Sequence, residues 1–128
     1  MKSWIIVGIL ALGIVGGGTW AFRWSQRPSP LDAFAQCLKD KGAVMYGASW
    51  CPHCKKQKDL FGRAFRFAKY VECAMPGNPQ AQAPACRDAG IQGYPTWVFA
   101  DGSRVSGEQT LAELAEKTGC ALPLTTTP

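Results

Sequence analysis

Two cysteines separated by a Pro-His dipeptide, Cys51-Pro52-His53-Cys54, stand where a short apolar run hands over to a helical pattern. Two intervening residues let the second thiol reach back and close a disulfide with the first. Helix N-terminal amides favour an anion, here the thiolate of Cys51. His53 lies between the two thiols, where it can add charge or a hydrogen bond, and Trp50 precedes them. The chemistry this pair supports is thiol–disulfide exchange. In the oxidising direction a substrate thiolate attacks the Cys51 sulfur, and a second substrate thiol releases the mixed disulfide, leaving the pair reduced. In the reducing direction Cys51 attacks and Cys54 resolves. About 40 residues further on, Tyr94-Pro95-Thr96 puts a proline just before a strand. Most X–Pro bonds are trans, and the sequence leaves this one open.

Four more cysteines, Cys37, Cys73, Cys86 and Cys120, bring the count to six, all of them after residue 30. An even count in a small exported domain reads as a disulfide framework. The order of elements expects Cys73 to pair with Cys86 across a Pro-rich stretch, with a redox relay or free thiols as the other readings. Cys37 with Cys120 would staple the two ends of the domain and contribute roughly 4 kcal/mol by loop closure. The intervals match no common zinc pattern, and Lys55 rather than a histidine follows Cys54, so no c-type haem site is present. Haem, flavin, nucleotide and metal have no supporting motif; no metal ligand and no cofactor are expected.

Export itself is read from the first residues. Ser3 to Phe22 is a run of 20 residues without a charge, long enough to cross a bilayer core as a helix. Trp4 at one end, with Trp20 and Trp24 at the other, resemble interfacial anchors. A cleaved signal peptide starting at Lys2 is the competing reading, against which no clean small-x-small cleavage site precedes the polar segment. The expected division is an anchor (or signal) over 1–24, a linker over 25–30, a folded domain over 31–122 and a tail over 123–128. The net charge of +5 is uneven: residues 1–30 carry Lys2, Arg23 and Arg27 without an acid, and the rest is only +2. That distribution argues against a nucleic-acid partner.

The elements that must position the dithiol follow from periodicity and punctuation. Ser29, Pro30 and Asp32 open a first helix with Ser29 as N-cap, and Gly42 ends it. A buried strand covers 43–46, and one long helix runs from Cys51 to about Ala68 with Leu60, Phe61, Ala64, Phe65 and Ala68 on its apolar face. Lys55, Lys56 and Lys58 fall off that face and read as solvated. A second strand covers 70–73, a Pro-rich loop 74–84 and a short helix 85–89. Strands over 96–100 and 103–106 flank an Asp101-Gly102 turn, and Thr110 with Glu113 makes a capping box for the last helix. The predicted class is α/β: a central mixed four-stranded sheet flanked by helices, preceded by a transmembrane helix.

WCPHC before a helix, followed by YPT before a hairpin, resembles the thioredoxin superfamily over about residues 31–122. The strings MYGASWCPHCKKQKDLFG, YVEC, GIQGYPTW and LAELAEKTG are similar to the thioredoxin-like domain that is fused to, or partners, bacterial vitamin K epoxide reductase homologues. The resemblance implies that Pro95 is cis beside Cys51, in a loop that with Trp50, Tyr94 and Thr96 binds the substrate chain. It implies exported protein dithiols as substrates and a membrane quinone reductase of the vitamin K epoxide reductase type as reoxidant. The location implied is a single pass through the cytoplasmic membrane, with the domain on the extracytoplasmic (periplasmic) side. One position departs from thioredoxins, which resemble one another in a buried Asp six residues before the first cysteine; here it is Met45. Pro-His between the cysteines resembles strongly oxidising bacterial disulfide oxidases, so the expected direction is oxidation. A disulfide reductase and a non-catalytic binding module are the competing functions.

Overall fold

The computed structural model describes residues 18–20, 22, 23 and 27–124. Helix α1 (Asp32–Asp40) buries Phe34, Ala35 and Leu38 along one stripe, and Gly42, at φ +78°, turns the chain into strand β1 (Val44–Gly47). Helix α2 (Pro52–Phe61) follows, then a 3-10 helix (Gly62–Phe67) and β2 (Lys69–Glu72). A two-stranded hairpin, β3 (Ala74–Met75) and β4 (Asn78–Gln82), leads to the short α3 (Pro84–Asp88). Strands β5 (Thr96–Val98) and β6 (Arg104–Ser106) and helix α4 (Leu111–Thr118) complete the order.

The main sheet runs β2-β1-β5-β6, with β1 parallel to β2 and antiparallel to β5, and β6 antiparallel to β5. It is a mixed four-stranded sheet flanked by helices. Register decides its two faces, because residues opposite one another point the same way. Met45 stands opposite Tyr70 and Trp97, and Gly47 opposite Glu72. On that face lies the larger core, where the rings of Phe34 and Phe61 stack at 6.0 Å and Trp97 meets Phe61 at a tilt, 6.1 Å between centroids. All three rings are essentially inaccessible, and burial of each contributes roughly 1.5–3 kcal/mol. Val71, Tyr46 and Val98 point to the opposite face and pack against a smaller cluster of Cys73, Cys86 and Ile91.

Several expectations are corrected. The long helix predicted to about Ala68 stops at Phe61: Gly62 takes φ 53° and ψ −133°, and the chain tightens into the 3-10 turn. Within α2 itself Cys54, Gln57 and Phe61 form the buried stripe, and Leu60, predicted on the apolar face, falls off it and is 46% exposed. The Pro-rich stretch 74–84 is not a loop throughout but contains the β3–β4 hairpin. Helix α1 begins at Asp32, not directly after Ser29; the Asp32 carboxylate accepts the Ser29 N–H at 2.9 Å and stabilises a turn ahead of the helix. The anchor predicted over 3–22 falls mostly outside the described residues. Among the described residues no helix is long and apolar enough to cross a membrane.

Candidate active site

Cys51 is the N-cap of α2, and Pro52 occupies the first helical position, where a missing N–H costs nothing. The turn before it is closed by the Cys51 N–H donating to the Ala48 carbonyl at 3.0 Å. The Cys51 sulfur accepts the Cys54 N–H at 3.4 Å, so a helix-terminal amide points at it. It also lies 3.7 Å from the Tyr94 carbonyl oxygen, and the Tyr94–Pro95 peptide bond is cis. Cys51 keeps 6% of its surface exposed against 1% for Cys54. Both residues are buried, the first less completely than the second. Burial, more than any other influence, pushes the Cys54 thiol up to about 12. Cys51 and Cys54 are both thiols here, the reduced form of the pair.

Around the pair, the structure places each candidate differently. Pro52 and His53 are exposed on the rim. The His53 Nδ1 meets the Glu108 carboxylate at 2.6 Å, so the imidazole is engaged by the loop before α4 rather than by either sulfur. Trp50 is 47% exposed; its indole N–H donates to the Pro79 carbonyl at 2.7 Å, and its ring meets Tyr94 edge-on at 6.1 Å. The Tyr94 hydroxyl accepts a hydrogen bond from Gln82 at 2.9 Å. Pro95 is buried, and Thr96 is 3% exposed with its hydroxyl donating to the Gly93 carbonyl at 2.8 Å. Thr96 thus holds the proline loop from within, and Trp50 and Tyr94 supply its outer surface. Cys37 is joined to Cys120 and Cys73 to Cys86 as disulfides. A cavity of about 400 Å³ between β6 and α4, lined by Phe99, Val105 and Leu114 among others, contains neither thiol of the pair.

Sequence reasoning missed the groups beneath Cys54. Gln57, fully buried one turn further along α2, donates to the Gln109 carbonyl at 2.9 Å and accepts the Gln109 N–H at 2.7 Å. It clamps α2 to the loop that carries Glu108. Lys58, read as solvated, lies over the Tyr70 ring with its Nζ 3.6 Å from the centroid. Tyr70 donates its hydroxyl proton to Glu72 at 2.9 Å, and the other Glu72 oxygen accepts the N–H groups of Ser49 and Ala74, each at 2.9 Å. Burial works to raise the Glu72 carboxyl, yet those hydrogen bonds and the Lys58 charge outweigh it and hold the carboxyl below its usual range. Tyr70 is shifted upward by burial, with Glu72 adding to the shift. The signal available in the sequence was the two-residue spacing in YVEC, which puts Tyr70 and Glu72 on one face of a strand.

A dithiol at a helix N-terminus, beside a cis-proline loop on a mixed four-stranded sheet, is the architecture of a thioredoxin domain. Residues 30–118 match the thioredoxin family, and the chain belongs to it. Among named relatives, it is 50% identical over 93 residues to the thiol-disulfide oxidoreductase LTO1 of Arabidopsis thaliana, covering 70% of this chain and 24% of that protein. It is 34% identical over 88 residues to the protein disulfide isomerase-like 2-2 of Oryza sativa subsp. japonica, covering 61% of this chain and 23% of that protein. The chain spans about a quarter of the length of these relatives.

Proposed function

We propose that this protein is an extracytoplasmic thiol–disulfide oxidoreductase that oxidises dithiols of exported proteins through Cys51 and Cys54. The observation that carries the reading is the asymmetry of the pair: a less deeply buried sulfur capped by a helix amide, and a more deeply buried partner one turn behind it. In the oxidised form a substrate thiolate forms a bond to the Cys51 sulfur, and Cys54 leaves with the electron pair of the broken disulfide. A second substrate thiolate then attacks the substrate sulfur of the mixed disulfide. The substrate departs as a disulfide, and two electrons remain on Cys51 and Cys54. The relatives' names, a thiol-disulfide oxidoreductase and a disulfide isomerase-like protein, support the reaction class. Two disulfides in a small domain support an oxidising compartment.

The oxidising direction is supported by the apolar Met45, fully buried on the sheet face that also carries Gly47, and by the Pro-His dipeptide. A domain poised this way needs an acceptor for two electrons per turnover. A membrane quinone reductase of the vitamin K epoxide reductase type is the partner proposed, with residues 1–24 holding the domain beside it. The test is the reduction potential of the Cys51–Cys54 pair in the full chain, equilibrated in detergent against glutathione. The expected value is more oxidising than about −200 mV; a value near thioredoxin's, about −270 mV, would make it a reductase instead.

A further inference from the structure

Buried Cys54 has to change its protonation state in every turnover, and β1 brings it no acid or base: that strand offers Met45 and Gly47 on the facing side. The ionisable groups nearest Cys54 are Cys51 and Lys58 from α2 and Tyr70 from β2, with Glu72 one hydrogen bond beyond Tyr70. We infer that Tyr70 and Glu72 form a proton relay for Cys54, with Lys58 as the cation that balances its anionic stage. The inference rests on the oxidoreductase reading given above. Its geometric basis is Gly47. A Cβ placed there would stand 2.9 Å from the Cys54 sulfur, 3.0 Å from the Tyr70 ring edge and 3.4 Å from the Tyr70 hydroxyl. Thiol and phenol therefore border the same point, which the missing side chain leaves open, with no hydrogen bond between them in this resting state. From the phenol the path runs 2.9 Å to a carboxylate on an exposed residue, and so to water.

When Cys54 resolves a mixed disulfide on Cys51, its proton passes to the Tyr70 oxygen as the Tyr70 proton passes to Glu72. The Cys54–Cys51 bond forms, the bond from Cys51 to the substrate sulfur breaks, and the substrate leaves as a thiolate with that electron pair. Glu72 ends as a neutral acid and loses its proton to water. In the oxidising direction each transfer reverses: water first protonates Glu72, Cys54 leaves the disulfide taking the Tyr70 proton, and Glu72 reprotonates Tyr70 and is a carboxylate again. Glu72 is held as a carboxylate, so it carries the proton only in passing and gives it up to water. Tyr70 and Glu72 touch no substrate and are positioning residues that act through Cys54.

The test uses the full chain carrying glutathione on Cys51 as a mixed disulfide, with release of glutathione followed from pH 5 to 10. Glu72→Gln keeps an oxygen for the Ser49 and Ala74 amides but turns a non-basic NH2 toward Tyr70; Tyr70→Phe keeps the ring beneath Lys58. Both variants are expected to slow release at pH 7 by at least about tenfold, with the rate climbing in proportion to hydroxide where the original protein levels off. Alkylation of Cys51 by iodoacetamide is expected to stay as fast as before. Unchanged release and pH profile in both variants would overturn the relay, and so would equal losses in release and Cys51 alkylation, which signal a structural role. Failure of the unaltered protein to exchange with glutathione would instead sink the oxidoreductase reading.

Discussion

Gly47 carries no side chain because its neighbours leave no space, not because its backbone is left-handed; it is absent from the glycines of positive φ. The Cys54 sulfur and the Tyr70 ring would both lie at or inside 3.0 Å of an added Cβ. Overpacking of this kind costs typically about 1–3 kcal/mol. Gly47→Ala is expected to lower the midpoint of chemical denaturation by that amount, and an unchanged midpoint would show that the ring swings aside freely. The same thiol sets an alkaline limit on stability. Burial lifts Cys54 from an ordinary 9.0 to about 12, so its unfolded form ionises first. Stability from this group is complete below pH 9 and is lost as the pH climbs toward 12. Denaturation of the reduced protein is expected to weaken above pH 9, and Cys54→Ser to lessen that fall. Glu72 has the opposite sign: held low, it supports the fold above its ordinary 4.5, and that support disappears as the medium is acidified through its folded value.

Among the elements, α4 is the one whose local signals suffice. The Thr110 hydroxyl accepts the Glu113 N–H at 3.1 Å, the Glu113 carboxylate returns to the Thr110 N–H at 2.7 Å, and Gly119 closes the helix in the left-handed conformation. Each of these features was legible as a residue type at a fixed offset. Thr110→Ala is expected to cost about 1 kcal/mol, read as a lower thermal midpoint; an unshifted midpoint would mean that packing of Leu114 alone fixes the helix. Helix α2 was legible at its start and not at its end. Cys51 and Pro52 mark the N-terminus, but apolar periodicity runs on through Phe65, and only the tertiary demand for a turn onto β2 decides that Gly62 breaks the helix. The β3–β4 hairpin had no signal, since NPQAQ lacks alternation. The only register shift, or bulge, in its short ladder lies at Ala74–Met75, and Trp50 anchors it from the active-site side through Pro79.

At the scale of the whole molecule, the candidate dithiol was legible because its parts are adjacent in sequence. The groups beneath it were not, because Lys58, Tyr70 and Glu72 meet only when β2 lies parallel to β1 under α2. The remaining four cysteines act on the chain as a whole. Cys37–Cys120 spans 83 residues and ties α1 to the residue past Gly119, whereas Cys73–Cys86 spans 13. Loop-closure entropy gives about 4.5 kcal/mol for the long link and about 3 kcal/mol for the short one. Both sulfurs of the short link belong to residues with no exposed surface, so no external thiol can attack them. Such burial favours a strut over a relay. The paired replacement Cys37→Ser with Cys120→Ser is therefore expected to cost more in urea unfolding than Cys73→Ala with Cys86→Ala. Neither pair should alter the rate at which Cys51 exchanges with glutathione. Slowed exchange after removal of Cys73 and Cys86, with the fold intact by circular dichroism, would assign that disulfide a part in electron transfer and refute the strut.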